Sequence, residues 1–134
     1  MKKVIAQHPQ ARIVVVDDNA TNLLLLTELL KLAGFASVTA FSHATEVIPY
    51  LQANQVDVLL VDQSMPEVTG LELYLCMKQQ LTELPISFLV TAHSIGDLAE
   101  RATATGMQGF IRKPFTMHQV VNEIDLALTA PGNR

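Results

Sequence analysis

Asp57-Val58-Leu59-Leu60-Val61-Asp62 is the stretch whose reading decides the fold: four apolar residues bracketed by two carboxylates. The run is too short for a helix and apolar on both faces of the pleat, the pattern of a strand buried inside a parallel sheet. Such a strand needs companions and covering helices, and both lie outward from it in each direction. Toward the N-terminus, Arg12-Ile13-Val14-Val15-Val16-Asp17 is a β-branched run that ends in acid in the same way. After it Leu23, Leu26, Leu30 and Ala33 recur at helical spacing, and Gly34 closes the helix. Ser37-Val38-Thr39-Ala40-Phe41 reads as a second strand. Ser42 is placed to cap a second helix carrying Ala44, Val47, Ile48 and Leu51, with a kink or loosened turn expected at Pro49. Toward the C-terminus, Leu71 to Leu81 reads as a helix, and Ile86-Ser87-Phe88-Leu89-Val90-Thr91 as a strand opened by Pro85. Ile95, Leu98, Ala99 and Ala102 mark a weaker helix ending near Gly106. Gln108-Gly109-Phe110-Ile111-Arg112 is a short fifth strand. A last helix carries Val120, Val121, Ile124, Ala127 and Leu128.

Five strands alternating with five helices imply right-handed crossovers and an α/β fold of three layers, a parallel sheet covered on both faces. The 134 residues, 49% hydrophobic and 16% charged, suit one domain. Its expected extent is residues 11–130, with residues 1–10 an N-terminal tail and 131–134 a C-terminal tail or the start of a linker. A single cysteine, Cys76, excludes an internal disulfide and a cysteine-rich zinc site, and its apolar company predicts a buried thiol. His8, His43, His93 and His118 are dispersed without metal-ligand spacing. A formal charge of -4 argues against direct nucleic-acid binding. No apolar run approaches the ~20 residues of a membrane span, and nothing resembles a signal peptide, so the expected compartment is the cytoplasm.

In open parallel sheets the ligand site lies beyond the carboxyl ends of the strands, where the strand order reverses. Those ends carry Asp17 and Asp18, Asp62, Thr91 and Lys113. Any one of them could simply be a polar residue meeting water; five together, behind apolar strands, point to chemistry. Three carboxylates in one cleft repel unless a cation joins them. An oxygen-only ligand set that leaves room for water suits Mg²⁺. Lys113 adds a point charge fit for a phosphoryl oxygen. A carboxylate is itself a competent nucleophile toward phosphorus. The constellation reads as phosphoryl transfer onto an aspartate.

These residues resemble the receiver domain of two-component response regulators. The resemblance rests on Asp17-Asp18, Asp62 followed by Met65-Pro66 and Gly70, Thr91-Ala92, and Lys113-Pro114-Phe115, in order and over about residues 11–130. It implies a flavodoxin-like sheet of order 2-1-3-4-5 and a cis Lys113-Pro114 peptide. By the same resemblance Asp62 is the phospho-acceptor, charged by a sensor histidine kinase or a phosphotransfer protein. Asp17, Asp18, Asp62 and the backbone carbonyl of Ser64 would hold Mg²⁺. Thr91 would bind the phosphoryl group beside the small Ala92, Lys113 would bridge to it, and Thr91 with Phe110 would form the switch. Ser64 and His93 occupy positions that tune phosphoryl lifetime. Thr69 stands where many members carry an acidic residue or asparagine, a departure that touches the turn. The output face would join helix 4, strand 5 and helix 5, with Asp97, Arg101, Gln119, Asn122 and Glu123 as exposed contacts for a partner or a homodimer.

Rival readings differ in class. A phosphatase of the haloacid-dehalogenase type wants Asp-x-Asp-x-Thr after its first strand, and Asp17-Asp18-Asn19-Ala20-Thr21 lacks the second aspartate in place. No Gly-x-Gly-x-x-Gly or P-loop is present. A pseudo-receiver that docks partners without phosphorylation is disfavoured by the acidic pair with Asp62 and Lys113, and a phosphorylation assay separates the two. The expected protein is thus a phospho-acceptor signalling domain rather than an enzyme.

Overall fold

Strands apolar on both faces, alternating with helices, assemble into one parallel sheet in the computed structural model, which describes residues 5–92 and 96–129. The strands are β1 (Arg12–Val16), β2 (Ser37–Phe41), β3 (Val58–Asp62), β4 (Ile86–Thr91) and β5 (Gly109–Arg112). They lie in the order β2-β1-β3-β4-β5, each neighbouring pair parallel. The connecting helices are α1 (Ala20–Leu32), α2 (Val47–Ala53), α3 (Gly70–Gln80), α4 (Gly96–Thr105) and α5 (Met117–Thr129). This is the flavodoxin-like order the resemblance implies, and the Lys113-Pro114 peptide is cis as expected.

Side chains alternate across the sheet, so each strand feeds two cores. Ile13, Val15, Val58, Leu60, Phe88, Val90 and Ile111 pack with Leu26 and Leu30 of α1 and with Val120 and Ile124 of α5. Val14, Val16, Leu59, Val61 and Leu89 pack on the other face with Val47, Leu71, Tyr74, Met77 and Ala102 from α2, α3 and α4. All five residues of β3 are buried, whereas the edge strand β2 is half-exposed. Each fully buried Val or Leu of β3 contributes about 2 kcal/mol from apolar burial, which makes β3 the least replaceable strand.

Register sets the site. Val16 pairs with Val61, Asp62 with Val90, and Thr91 with Arg112, so residues following these strands emerge along one edge. After β1 the chain crosses outward to β2, and after β3 it crosses the other way to β4. The cleft between them is the reversal point of the strand order.

Several expectations are corrected. Ser42 caps no helix: a 3-10 turn, Ala44–Glu46, follows His43 without a side-chain cap bond, and α2 begins at Val47. Pro49 therefore falls in the first turn of α2, where its missing N–H would lack a partner anyway. The loosened turn lies ahead of the proline. Cys76 is exposed, because α3 turns Leu71, Leu73, Tyr74 and Met77 inward. His8 Nδ1 lies 3.2 Å from Asp125 Oδ1, and the Gln7 N–H donates to Asp125 Oδ2 at 3.0 Å, so this part of the expected tail meets α5. Ala6 is buried and its N–H donates to the Ala33 carbonyl at 2.7 Å, just after α1. His93, Ile95 and the expected C-terminal tail lie outside the described residues. No described helix is long and apolar enough to cross a membrane.

Candidate functional site

The site forms where β1, β3, β4 and β5 end. Asp17 and Asp62 are both 5% exposed, whereas Asp18 is open to solvent. One carboxylate oxygen from each lies within 4.8 Å of the other two. Each is held by its own local structure. Asp17 Oδ1 accepts the Asn19 N–H at 2.9 Å, and the Asn19 side chain in turn accepts from Asn22 N–H at the start of α1. Asp62 is the last residue of the fully buried β3, so its side chain leaves the sheet with a fixed direction.

Lys113 follows β5 and reaches back across the edge. Its Nζ donates to Asp62 Oδ1 at 2.8 Å and lies 3.5 Å from Asp17 Oδ2. The Lys113 N–H donates to the Thr91 carbonyl at 2.8 Å, which fixes the lysine's departure from the strand end. Burial pulls the Lys113 ammonium down, but the hydrogen bond to Asp62 and the charges of Asp17 and Asp62 outweigh it and hold the lysine above its ordinary value. Burial pushes the Asp62 carboxyl up, the Lys113 bond offsets only part of this, and the charges of Asp17 and Asp18 push the same way. Asp62 is therefore a carboxylate whose ionised form is disfavoured by its surroundings.

Thr91 is buried at the end of β4 beside Asp62, and Ser64 is exposed two residues beyond it. Phe110 pairs with Leu89 and is half-buried against the core formed by α2, α3 and α4. Asp97, Arg101, Gln119, Asn122 and Glu123 are all exposed. An apolar hollow of ≈ 300 Å³, lined by Leu25, Leu26, Pro114 and Phe115, opens directly beside Asp62 and Lys113.

Thr69, Gln63, Asn19 and Gly70 complete the frame in structural roles the sequence reading did not assign. Thr69 caps α3 through a reciprocal pair with Glu72, at 3.1 and 2.9 Å, a Thr-x-x-Glu signature readable in the sequence. Gln63 and Asn19 hold the loops on either side of the acidic cluster. Gly70 has no side chain because a Cβ would sit 2.6 Å from the Asp62 carbonyl oxygen and 2.7 Å from Leu89 Cδ1.

A doubly wound parallel sheet with an acidic cluster and a lysine at its reversal point defines an α/β domain whose candidate site is built around an aspartate. The response regulator receiver domain family matches residues 13–125, and the chain belongs to it. The DNA-binding transcriptional regulator NtrC of Proteus hauseri is 36% identical over 115 residues, which are 86% of this chain and 24% of NtrC. The chain thus spans about a quarter of that relative's length. Chemotaxis protein CheY of Pseudomonas aeruginosa is 30% identical over 116 residues, covering 85% of this chain and 93% of CheY. A response regulator receiver domain protein from Clostridium thermocellum has a similar structure, with TM-score 0.78 and 29% identity over 87% of this chain and 92% of that one. The expectation of a two-component receiver domain is met.

Proposed function

We propose that Asp62 accepts a phosphoryl group from a phosphohistidine carried by a sensor histidine kinase or a phosphotransfer protein. The observation that carries this reading is the 2.8 Å contact of Lys113 Nζ with Asp62 Oδ1 inside a cluster of three carboxylates. Lys113 engages Oδ1, which leaves Oδ2 as the attacking oxygen. As the O–P bond forms, the P–N bond breaks and its electron pair returns to the donor imidazole. Attack spreads the disfavoured charge of Asp62 onto the transferring group, where Lys113 and the Thr91 hydroxyl meet two of its oxygens.

The donor set fits Mg²⁺: Asp17, Asp18, Asp62 and the Ser64 carbonyl offer only oxygens, and three are carboxylates gathered within 4.8 Å. When bound, the ion would offset the acidic surplus and polarise a phosphoryl oxygen. Asp17 is oriented for this by the Asn19 N–H, and Lys113 Nζ stands within reach of both Asp62 Oδ1 and Asp17 Oδ2.

In the phosphorylated state Thr91 turns toward the acyl phosphate and Phe110 fills the space it leaves. The half-buried Phe110 supports this, because its ring carries no hydroxyl to desolvate on moving inward. The change is read on the face of α4, β5 and α5, through a partner or a second copy. The domain is a phospho-acceptor whose only turnover is slow loss of its own phosphoryl group. A pseudo-receiver would have no use for the Lys113–Asp62 contact.

Intact-protein mass spectrometry after incubation with acetyl phosphate and Mg²⁺ tests the reading. One added phosphoryl group, absent in Asp62→Asn, is expected. No adduct, or an adduct retained in Asp62→Asn, contradicts it.

A further inference from the structure

Gln63 stands directly after Asp62, yet its hydrogen bonds run away from the acidic cluster. Its N–H donates to the Val90 carbonyl at 3.0 Å, adding one rung to the β3–β4 ladder. Its own carbonyl accepts from Gly70 N–H at 3.1 Å, and its side-chain Oε1 accepts from Leu71 N–H at 3.0 Å. Gly70 and Leu71 open α3, so these amides are among those a helix cannot satisfy internally. Thr69 already satisfies the next amide, that of Glu72. One helix start therefore has two caps. Thr69 acts locally; Gln63 reaches across eight residues and closes the base of the loop that carries Ser64.

Holding a glutamine side chain in one rotamer costs entropy. A helix already capped by a reciprocal Thr69–Glu72 pair has little need of that outlay for its own stability. What the second cap adds is a fixed geometry. Residue 63 is tied to β4 on one side and to α3 on the other, which restricts how the chain enters residue 64. The absent Cβ of Gly70 permits the closure, since any side chain there would meet the Asp62 carbonyl.

We infer that Gln63 is a positioning residue: by bonding the Leu71 amide, its side chain sets where the Ser64 carbonyl stands relative to Asp17, Asp18 and Asp62. This rests on the Mg²⁺ reading given above. Nothing in the acidic cluster touches the Gln63 carboxamide in the contacts described, so its effect passes through the loop.

Calorimetric titration of the full chain with Mg²⁺ tests it, comparing wild type, Gln63→Met and Thr69→Ala. Methionine keeps the length and removes the acceptor. Gln63→Met is expected to weaken Mg²⁺ binding about tenfold, the scale seen when a group supporting a ligand is lost. Thr69→Ala, which also loses a cap of α3, should stay within about twofold of wild type while its Tm falls. Equal affinity of Gln63→Met and wild type overturns the inference. If Gln63→Met does not fold, amide exchange in the wild type decides. Coupling is reciprocal, so Mg²⁺ must slow exchange at Leu71 more than at Glu72. Equal slowing at both amides overturns the inference. Absence of Mg²⁺ binding by the wild type overturns the metal reading and the inference with it, whereas binding without a Gln63→Met effect overturns the inference alone.

Discussion

The two ends of the sheet handle buried carboxylates in opposite ways. At the amino-terminal edge, Asp57 accepts the Arg12 backbone N–H at 2.7 Å, Nε at 3.1 Å and an Nη at 3.3 Å. One carboxylate meets one guanidinium in a forked pair, and Gln55 takes a further guanidinium proton at 3.1 Å. At the carboxyl-terminal edge, Asp17 and Asp62 share the ammonium of Lys113, and Asp18 adds a third carboxylate beside them. The first arrangement is neutral and hydrogen-bonded throughout; the second keeps a surplus of negative charge. Both are charged clusters at strand ends. The balanced pair is satisfied within the fold, whereas the surplus is the feature on which the proposal of a cationic ligand rests.

The largest stability effect should come from breaking the balanced end. Asp57→Ala leaves the Arg12 N–H without its carboxylate and is expected to cost about 2–3 kcal/mol. Acetyl phosphate labelling of the folded variant should proceed at the wild-type rate, because the two edges lie at opposite ends of the strands. Chemical denaturation and a labelling time course check both halves. A labelling rate that falls with stability would dissolve the contrast between the edges.

How much of this was legible in the sequence depends on distance along the chain. β1 and β3 could be read because their apolar runs stop at acid, and β4 and β5 because theirs stop at Thr91 and just before Lys113. The strand-end groups could be read because they follow such runs. The resemblance supplied strand order. Contacts between distant positions were hidden: Arg12 and Asp57 are 45 residues apart, and His8 and Asp125 are 117 apart. Gln63 carries no motif to read, since its partner Leu71 is assigned only once α3 folds back. Cys76 misled because Leu73, Tyr74, Leu75 and Met77 surround it in the sequence, although at helical spacing it lies in line with the exposed Glu72 and Gln79. The Pro49 turn misled because the 3-10 segment before it shifts the helix start by several residues.

A smaller effect concerns what each edge communicates. Beryllofluoride with Mg²⁺, a phosphoryl mimic, should move the amide resonances of Asp97, Arg101, Gln119, Asn122 and Glu123 while leaving those of Arg12, Gln55 and Asp57 in place. Arg101→Glu should alter any self-association seen by light scattering in the mimic's presence. Shifts confined to the pocket, with unchanged association, would remove the α4–β5–α5 face from the account.

The acidic surplus around Asp62, met only in part by Lys113, is a cost to the fold at neutral pH that a bound cation would offset. Its sign follows from Asp62: a carboxyl held above its ordinary value binds more protons folded than unfolded, so it lowers stability as pH rises above about 4. Thermal unfolding of wild type and Asp62→Asn, in EDTA and in saturating Mg²⁺, measures this directly. In EDTA at neutral pH, Asp62→Asn should melt higher than wild type, with the gain fading as pH falls toward 4. Mg²⁺ should raise the Tm of wild type more than that of Asp62→Asn and close the gap. An Asp62→Asn variant no more stable than wild type in EDTA, with Mg²⁺ shifting both equally, would contradict the account.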